Sequence, residues 1–543
     1  MNFKINESEQ KLRGGYYTPK DIAYFITDWV CEREDCRTVL EPSCGDGVFF
    51  EAVENYSPLV ALTGFEIDGK EAGKSIERCR KLNLNYEIYA KDFLSWSILN
   101  IDRAPLFDGV IGNPPFVRYQ YLDESFQRDS EWLFAHNHIP FTRHTNLWVP
   151  FVIASINLLR AGGRLGMIVP SELLHVLHSK PLRSFLYDQC SEIVIIDPQD
   201  IWFENTLQGA VILFAQKKIT LNVPSNGLAI IPTSGRSFLK QRATNLIAEA
   251  NFVTGDILQE KWTYALLSPN ELALLNAIKC FPQIHQFKEI AKVDVGVVTG
   301  ANDYFLVSDE TKNRYNLHRW SHPMFGRSDH CRGIIYDELQ HNENIKRGLP
   351  ANFLWFNSEI PNDAPEAAKA YIRLGEERKL HQRYKCRIRT PWYKVPSVYG
   401  TPIGMLKRAH DIPRLIYNEI GALTTDTAYR ISPINNIPPQ NIVCNFINSL
   451  TALSAELEGR SYGGGVLELV PSEIEKLLYI SSPLNHNIRE LHNRVLAMEA
   501  ENLLQDQDRL VLTNLGLNQN DICLLHNAWF KLKQRRQRKF TQE

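Results

Sequence analysis

Thr38-Val39-Leu40-Glu41-Pro42-Ser43-Cys44-Gly45-Asp46-Gly47-Val48-Phe49-Phe50 is an apolar run that ends in an acid, turns through two glycines and continues into an apolar stretch. Its pattern predicts a strand over 38–41, a tight turn, and a helix over 48–55. Gly45 and Gly47 let the backbone turn sharply and approach a ligand closely. The same alternation continues outward. Strands are expected at 62–66, 86–90, 107–111, 164–169, 192–197 and 208–215, with helices at 70–82 and 146–160. This spacing predicts an α/β fold, a Rossmann-like parallel sheet with helices on both faces. In such sheets ligands bind at the carboxyl ends of the strands.

The chain has 543 residues, 44% hydrophobic and 22% charged, which suggests several globular domains. The alternation stops near 216–225. The expected division is 1–220 for the catalytic sheet, 221–484 for a mixed α+β recognition region, and 485–543 for a helical C-terminal segment with a basic tail. Helices are expected there over 489–504 and 521–533. Formal net charge is −2, so affinity for nucleic acid must come from local clusters of positive charge. Ten cysteines without a Cys-x-x-Cys pair read as reduced thiols, and the expected location is the cytoplasm. No run of 18 apolar residues occurs, so no membrane span is expected.

Three acids follow successive strands. Glu41 ends the first, Glu66 in Phe65-Glu66-Ile67-Asp68 ends the second, and Asp92 in Lys91-Asp92-Phe93 ends the third. A carboxylate after the second strand can accept both hydroxyls of a ribose. One after the third can accept from an adenine amine, with Phe93 covering the ring. The fourth strand runs into Gly112-Asn113-Pro114-Pro115-Phe116. An aryl amine is a poor nucleophile because its lone pair is delocalised. Two fixed acceptors, the Asn113 side-chain oxygen and the Pro114 carbonyl, favour a pyramidal nitrogen and need little reorganisation. The prolines hold the turn extended. Phe116 offers a face on which a flipped base can stack.

Taken together, Glu41–Gly47, Phe65–Asp68, Lys91–Phe93 and Asn113–Phe116 resemble motifs I to IV of the amino-methyltransferases. Gly14-Gly15-Tyr16-Tyr17-Thr18-Pro19 resembles motif X. Motif X before motif I is the order of the γ-class, TaqI-type N6-adenine DNA methyltransferases of restriction–modification systems. The resemblance implies a class I methyltransferase sheet and S-adenosyl-L-methionine as cofactor. Tyr17 and Thr18 would close over its methionine end, and Glu41, Ser43, Gly45 and Gly47 would line that end. Glu66 and Ile67 would hold the ribose, and Asp92 and Phe93 the adenine. Asn113, Pro114 and Phe116 would hold the target base. Asn113 would also border the cofactor. A second stacking aromatic is expected at Phe203, with Trp202 competing.

From Arg378 to His410 there are nine Lys or Arg and no acid, with Tyr384, Trp392, Tyr393 and Tyr399 interleaved. Arg383, Lys385, Arg387, Arg389, Trp392, Tyr393 and Lys394 are expected to contact double-stranded DNA. The basic tail 531–539 could add phosphate contacts. No metal site is expected, since the histidine pairs 136/138 and 175/178 lack matching ligands. The expected function is site-specific adenine-N6 methylation of DNA by a monomer, with cleavage left to a separate endonuclease. Methylation of RNA or of protein glutamine remains an alternative, as does an inactive DNA-binding relative.

Overall fold

The computed structural model describes residues 17–56, 59–103, 106–117, 123–143, 145–199, 209–255, 258, 261–462, 464–481 and 487–537. The chain divides into two compact units. The first ends at Leu267, and the second runs from Ser268 to Gln537 apart from 462–464.

In the first unit, eight strands form one sheet: β1 (Thr38–Glu41), β2 (Ala61–Phe65), β3 (Tyr86–Tyr89), β4 (Phe107–Gly112), β5 (Leu159–Pro170), β6 (Cys190–Pro198), β7 (Ala210–Lys217) and β8 (Leu228–Thr233). Their spatial order is β3-β2-β1-β4-β5-β7-β6-β8. All neighbours are parallel except β7, which is antiparallel to both β5 and β6. Helices α1 (Lys20–Cys31), α2 (Val48–Tyr56) and α3 (Gly69–Lys81) pack on one face. On the other lie α4 (Phe93–Asn100), α5 (Glu124–His136), α6 (Trp148–Leu158), α7 (Glu172–His175) and α8 (Lys180–Gln189).

Alternation along the strands explains the two layers. Leu40, Val110, Ile195 and Leu213 join one core, while their neighbours Val39, Ile111, Val194 and Ile212 join the other. A strand covered on both faces reads as a continuous apolar run, as these do. Asp108 aligns the starts of the central strands. Its Oδ2 accepts from the amides of Arg37 (2.7 Å) and Thr38 (2.9 Å), and Arg160 pairs with Oδ1. Two glycines let α1 lie close to the sheet. A Cβ on Gly109 would sit 2.4 Å from Val30 Cγ1, and one on Gly166 would sit 2.7 Å from Ile26 Cγ2.

The boundary expected near 220 falls inside this unit. Strand β8 extends the sheet beside β6, Ala243 and Ile247 pack into the core containing α1, and Trp262 packs into the opposite one. Arg236 adds a bond to Asp21 at 2.6 Å. Six of these elements have no counterpart in the sequence reading: α1, α4, α5, α7, α8 and β8. The helix α4 is apolar around most of its circumference, so it shows little helical periodicity.

The second unit holds a five-stranded sheet in the order Ala291–Val295, Ala428–Pro433, Ile403–Leu406, Leu415–Asn418, Ile335–Tyr336. It also holds a four-stranded sheet of Leu306–Val307, Asn352–Leu354, Ser321–Phe325 and Leu423–Thr424. The C-terminal helices belong to this unit and are not a separate segment. Asp508 accepts from the Ser449 amide at 2.7 Å, inside the core that the helix Ser449–Glu458 shares with its neighbours. The helix expected over 489–504 is two, Ile488–Ala497 and Ala500–Val511, because the chain turns extended at Met498 and Glu499.

A Gly166→Val substitution should destabilise the protein by about 1–3 kcal/mol by forcing α1 off the sheet. Urea denaturation followed by tryptophan fluorescence would show the midpoint fall; an unchanged midpoint would mean that α1 yields without cost.

Candidate active site

The ends of β1, β2 and β3 are laced together. The Cys44 amide, in the turn after β1, donates to Phe65 O at 2.8 Å, and the Glu66 amide donates to Tyr89 O at 3.1 Å. Glu66 reaches back to the turn: Oε2 accepts from the Gly45 amide at 3.0 Å, and Oε1 from the Asp68 amide at 2.9 Å. Gly45 adopts φ +50° and Gly47 φ +81°, the left-handed region where a side chain is strained. At Gly47 a Cβ would also meet Ser75 Oγ at 2.6 Å. At Gly45 it would meet no atom within 4 Å, so this part of the turn faces open space.

Glu41 is 1% exposed. Burial, with repulsion from Asp46 and Glu66, pushes its carboxyl well above the usual range. Its Oε2 is buried without a hydrogen-bond partner among the described residues. Burial also raises the Glu66 carboxyl, against the pull of the two amides it accepts. A buried acid whose Oε2 has no hydrogen-bond partner among the described residues, with only the Arg78 guanidinium opposing its raised carboxyl, lies beside a glycine turn that opens to space.

Asp92 caps α4, with Oδ1 accepting from the Leu94 amide (3.0 Å) and Oδ2 from the Ser95 amide (3.2 Å) and Ser95 Oγ (2.6 Å). Ser95 Oγ also bonds Asp129 on α5. Asp92 immediately before the apolar run at Phe93 is an N-cap signal that could have been read. Asp129 lies far along the chain and had no such signal. Phe93 departs from expectation. Its ring is 2% exposed and packs on Phe65 and Phe151, so it cannot lie over a ligand. What it can offer is its amide, which at the first position of a helix has no partner within that helix.

The turn after β4 joins this edge. Ser43 Oγ donates to Asn113 O at 3.2 Å, tying it to the glycine turn. Asn113 Nδ2 donates to Thr18 Oγ1, also at 3.2 Å. That bond ties the side-chain amide to the segment before α1. Pro114 is buried and Phe116 is half-buried, packed against both cores of the sheet. Tyr17 is half exposed and donates to Glu71 at 3.2 Å, while Ile67 is exposed. Gly14, Gly15, Tyr16, Trp202 and Phe203 lie outside the described residues.

The basic stretch in the second unit separates into two groups. Arg383, Lys385, Arg387 and Lys394 are exposed. Arg389, Trp392 and Tyr393 are committed to the fold, contrary to expectation. Arg389 donates to Thr299 O (2.7 Å) and Val298 O (2.8 Å). Trp392 packs on Tyr304 and donates to Glu376, and Tyr393 is 7% exposed with its hydroxyl accepting from the Ile360 amide. The tail is committed likewise. Lys531 pairs with Glu271, Lys533 with Glu501 and Asp411, and buried Arg536 with Glu456. Residues 538 and 539 lie outside the described residues.

A sheet with one reversed strand next to its sixth, and a ligand edge at the ends of β1 to β4, is the class I methyltransferase fold. Known proteins narrow this. A family model described as Eco57I restriction-modification methylase matches residues 57–202, and one for the C-terminal domain of type II methyltransferase M.Eco57I matches 259–512. Type II methyltransferase M.AccI of Acinetobacter calcoaceticus is 25% identical over 490 residues, 87% of this chain and 86% of its own. M.XamI of Xanthomonas campestris pv. amaranthicola is 22% identical over 483 residues, 86% and 84% respectively. Among solved structures, the type IIL restriction-modification enzyme MmeI in complex with DNA shares the fold at TM-score 0.55 and 11% identity, covering 96% of this chain and 75% of that one. By these family models and relatives, the chain is similar to the methyltransferases of restriction–modification systems, in line with the γ-class resemblance.

The raised Glu41 carboxyl has a consequence for stability. Its folded value exceeds its unfolded one, so the folded chain binds the extra proton, and stability falls as pH rises above the ordinary carboxyl range of about 4–5. Glu41→Gln should therefore raise the melting temperature of the ligand-free protein at pH 7.5, with the gain fading below about pH 4.5. A lower melting temperature at pH 7.5 would show the carboxylate to be stabilised in its ionised form.

Proposed function

We propose that this chain is a site-specific DNA adenine-N6 methyltransferase that uses S-adenosyl-L-methionine, the modification half of a restriction–modification pair. The observation that carries this reading is the double tether of the Asn113 turn, to the glycine turn through Ser43 and to the N-terminal segment through Thr18. An amine acceptor and a cofactor turn are thereby held on one edge of one sheet.

The cofactor, when bound, supplies an electrophilic methyl group on a sulfonium. The buried acid Glu41 and the open turn at Gly45 suit that cationic centre, with Ser43 and Gly47 shaping the turn. Glu66 keeps carboxylate lone pairs for ribose hydroxyls beyond the two amides it accepts. Asp92 Oδ1 takes one amide and can accept an adenine amine, with the Phe93 amide beside it. Exposed Ile67 covers the nucleoside from the solvent side, and Tyr17 and Thr18 border the methionine end.

Asn113 Oδ1 and the Pro114 carbonyl accept the two hydrogens of the target amine, which directs its lone pair out of the ring plane. Phe116 stacks on the extruded base, a contact worth roughly 1–3 kcal/mol. No enzyme nucleophile is required, so the contribution of these residues is position and preorganised acceptors. Arg383, Lys385, Arg387 and Lys394 supply phosphate contacts. Among the described residues no helix is long and apolar enough to cross a membrane.

Transfer of tritiated methyl from the cofactor to duplex DNA, assayed against RNA and protein, tests the substrate class; label in RNA or protein alone would reject DNA as substrate. Asn113→Ala should abolish transfer while calorimetric cofactor binding survives. Turnover remaining within about tenfold, a loss of only about 1.4 kcal/mol, would mean that another group holds the amine.

A further inference from the structure

Within the exposed basic group lies an apolar pair. Tyr384 is 64% exposed and Ile388, one helical turn on, is 66% exposed. Two large apolar side chains on one face of a single turn are costly to hold in water. They are ringed by cations. Lys385 Nζ and Arg387 Cζ stand 5.6 and 5.4 Å from the Tyr384 ring centre, and Arg383 lies just before it, paired at 3.2 Å with the exposed Asp303.

This turn is not free to fold away. Arg389 clamps it to the loop 298–303 through two carbonyls, and Gly300, at φ +81°, packs so closely that a Cβ there would lie 2.7 Å from Lys385 Cβ. The loop is itself braced. The Ala301 amide donates to Thr299 Oγ1 at 3.0 Å, and Asn302 Nδ2 donates to Asp426 at 2.8 Å. Val298, on the same loop, is 40% exposed. The result is a stiff platform that presents an apolar centre with a cationic rim.

We infer that Tyr384 and Ile388 form a wedge that packs against bases or sugars of duplex DNA, while Arg383, Lys385 and Arg387 grip the flanking phosphates. The inference rests on the reading of the chain as a DNA methyltransferase. An apolar protein partner would leave Lys385 and Arg387 without counter-charges. Duplex DNA offers both an apolar surface and anions at a spacing a single helical turn can bridge. Arg389 is a positioning residue in this arrangement, since its guanidinium is committed to carbonyls.

The test uses the full chain, a fluorescein-labelled duplex of mixed sequence, and inorganic polyphosphate, a polyanion without bases. The double variant Tyr384→Ala/Ile388→Ala should bind the duplex about tenfold more weakly, with an unchanged salt slope and unchanged polyphosphate affinity. Lys385→Ala/Arg387→Ala should weaken both ligands and lower the duplex salt slope by about 2. All substituted residues are exposed, so melting temperatures should match wild type. If wild type methylates duplex DNA and the apolar pair can be removed without effect, the wedge is refuted and the DNA reading stands. Equal weakening of duplex and polyphosphate by the apolar variant also refutes it, as does loss of self-association in sedimentation with DNA affinity intact. If wild type transfers no methyl to DNA, the functional reading fails first and the wedge with it.

Discussion

Strand β1 pairs in parallel with β2 on one side and β4 on the other, and nearly everything the first unit can do follows from that placement. Parallel neighbours bring their carboxyl ends to one edge, so the loops after β1, β2 and β4 must meet. Asp108 fixes the opposite ends by binding the amides of Arg37 and Thr38, which sets the register of β4 against β1. With register fixed at the base, Ser43 and Asn113 fall within hydrogen-bond reach at the top. A slip of one residue would turn Val39 and Leu40 into the wrong cores and carry Asn113 away from the glycine turn.

The edge so formed is electrostatically unbalanced. Glu41 is buried, Glu66 is raised by burial, and Asp46 nearby is answered by Arg78 at 2.8 Å. Burying such a cluster costs free energy in the ligand-free protein. Asp92 differs from these acids: a helix start and Ser95 hold it, and its geometry is fixed through Asp129. The acids therefore divide into Glu41 and Glu66, whose carboxyls burial raises, and Asp92, whose oxygens cap a helix.

In the second unit a similar division runs through the cations. Arg389, Lys531, Lys533 and Arg536 are consumed by carbonyls and acids of their own unit, whereas Arg383, Lys385, Arg387 and Lys394 reach solvent. Positive charge in a sequence is thus a poor count of positive charge available to a partner. The buried cations brace the scaffold on which the exposed ones stand, and a long-range bond such as Arg389 to Val298 and Thr299 makes one rigid body of two distant stretches.

The sequence alone determined the first seven strands, the glycine turn, the acids after successive strands and the Asn113 turn. Each is a local pattern: an apolar run of strand length, glycines that permit left-handed backbone, prolines that forbid helix. It did not determine β8, because Leu228–Thr233 becomes a strand only by pairing with β6, and hence it placed the end of the first unit too early. Nor did it determine which way a side chain faces. Phe93 turned inward to Phe65 and Phe151, and Tyr393 and Trp392 into the core of the second unit, because packing partners far away in the chain decide orientation. Local chemistry fixes what a residue can do; only the tertiary structure, through burial and distant partners, decides whether it is left available to do it.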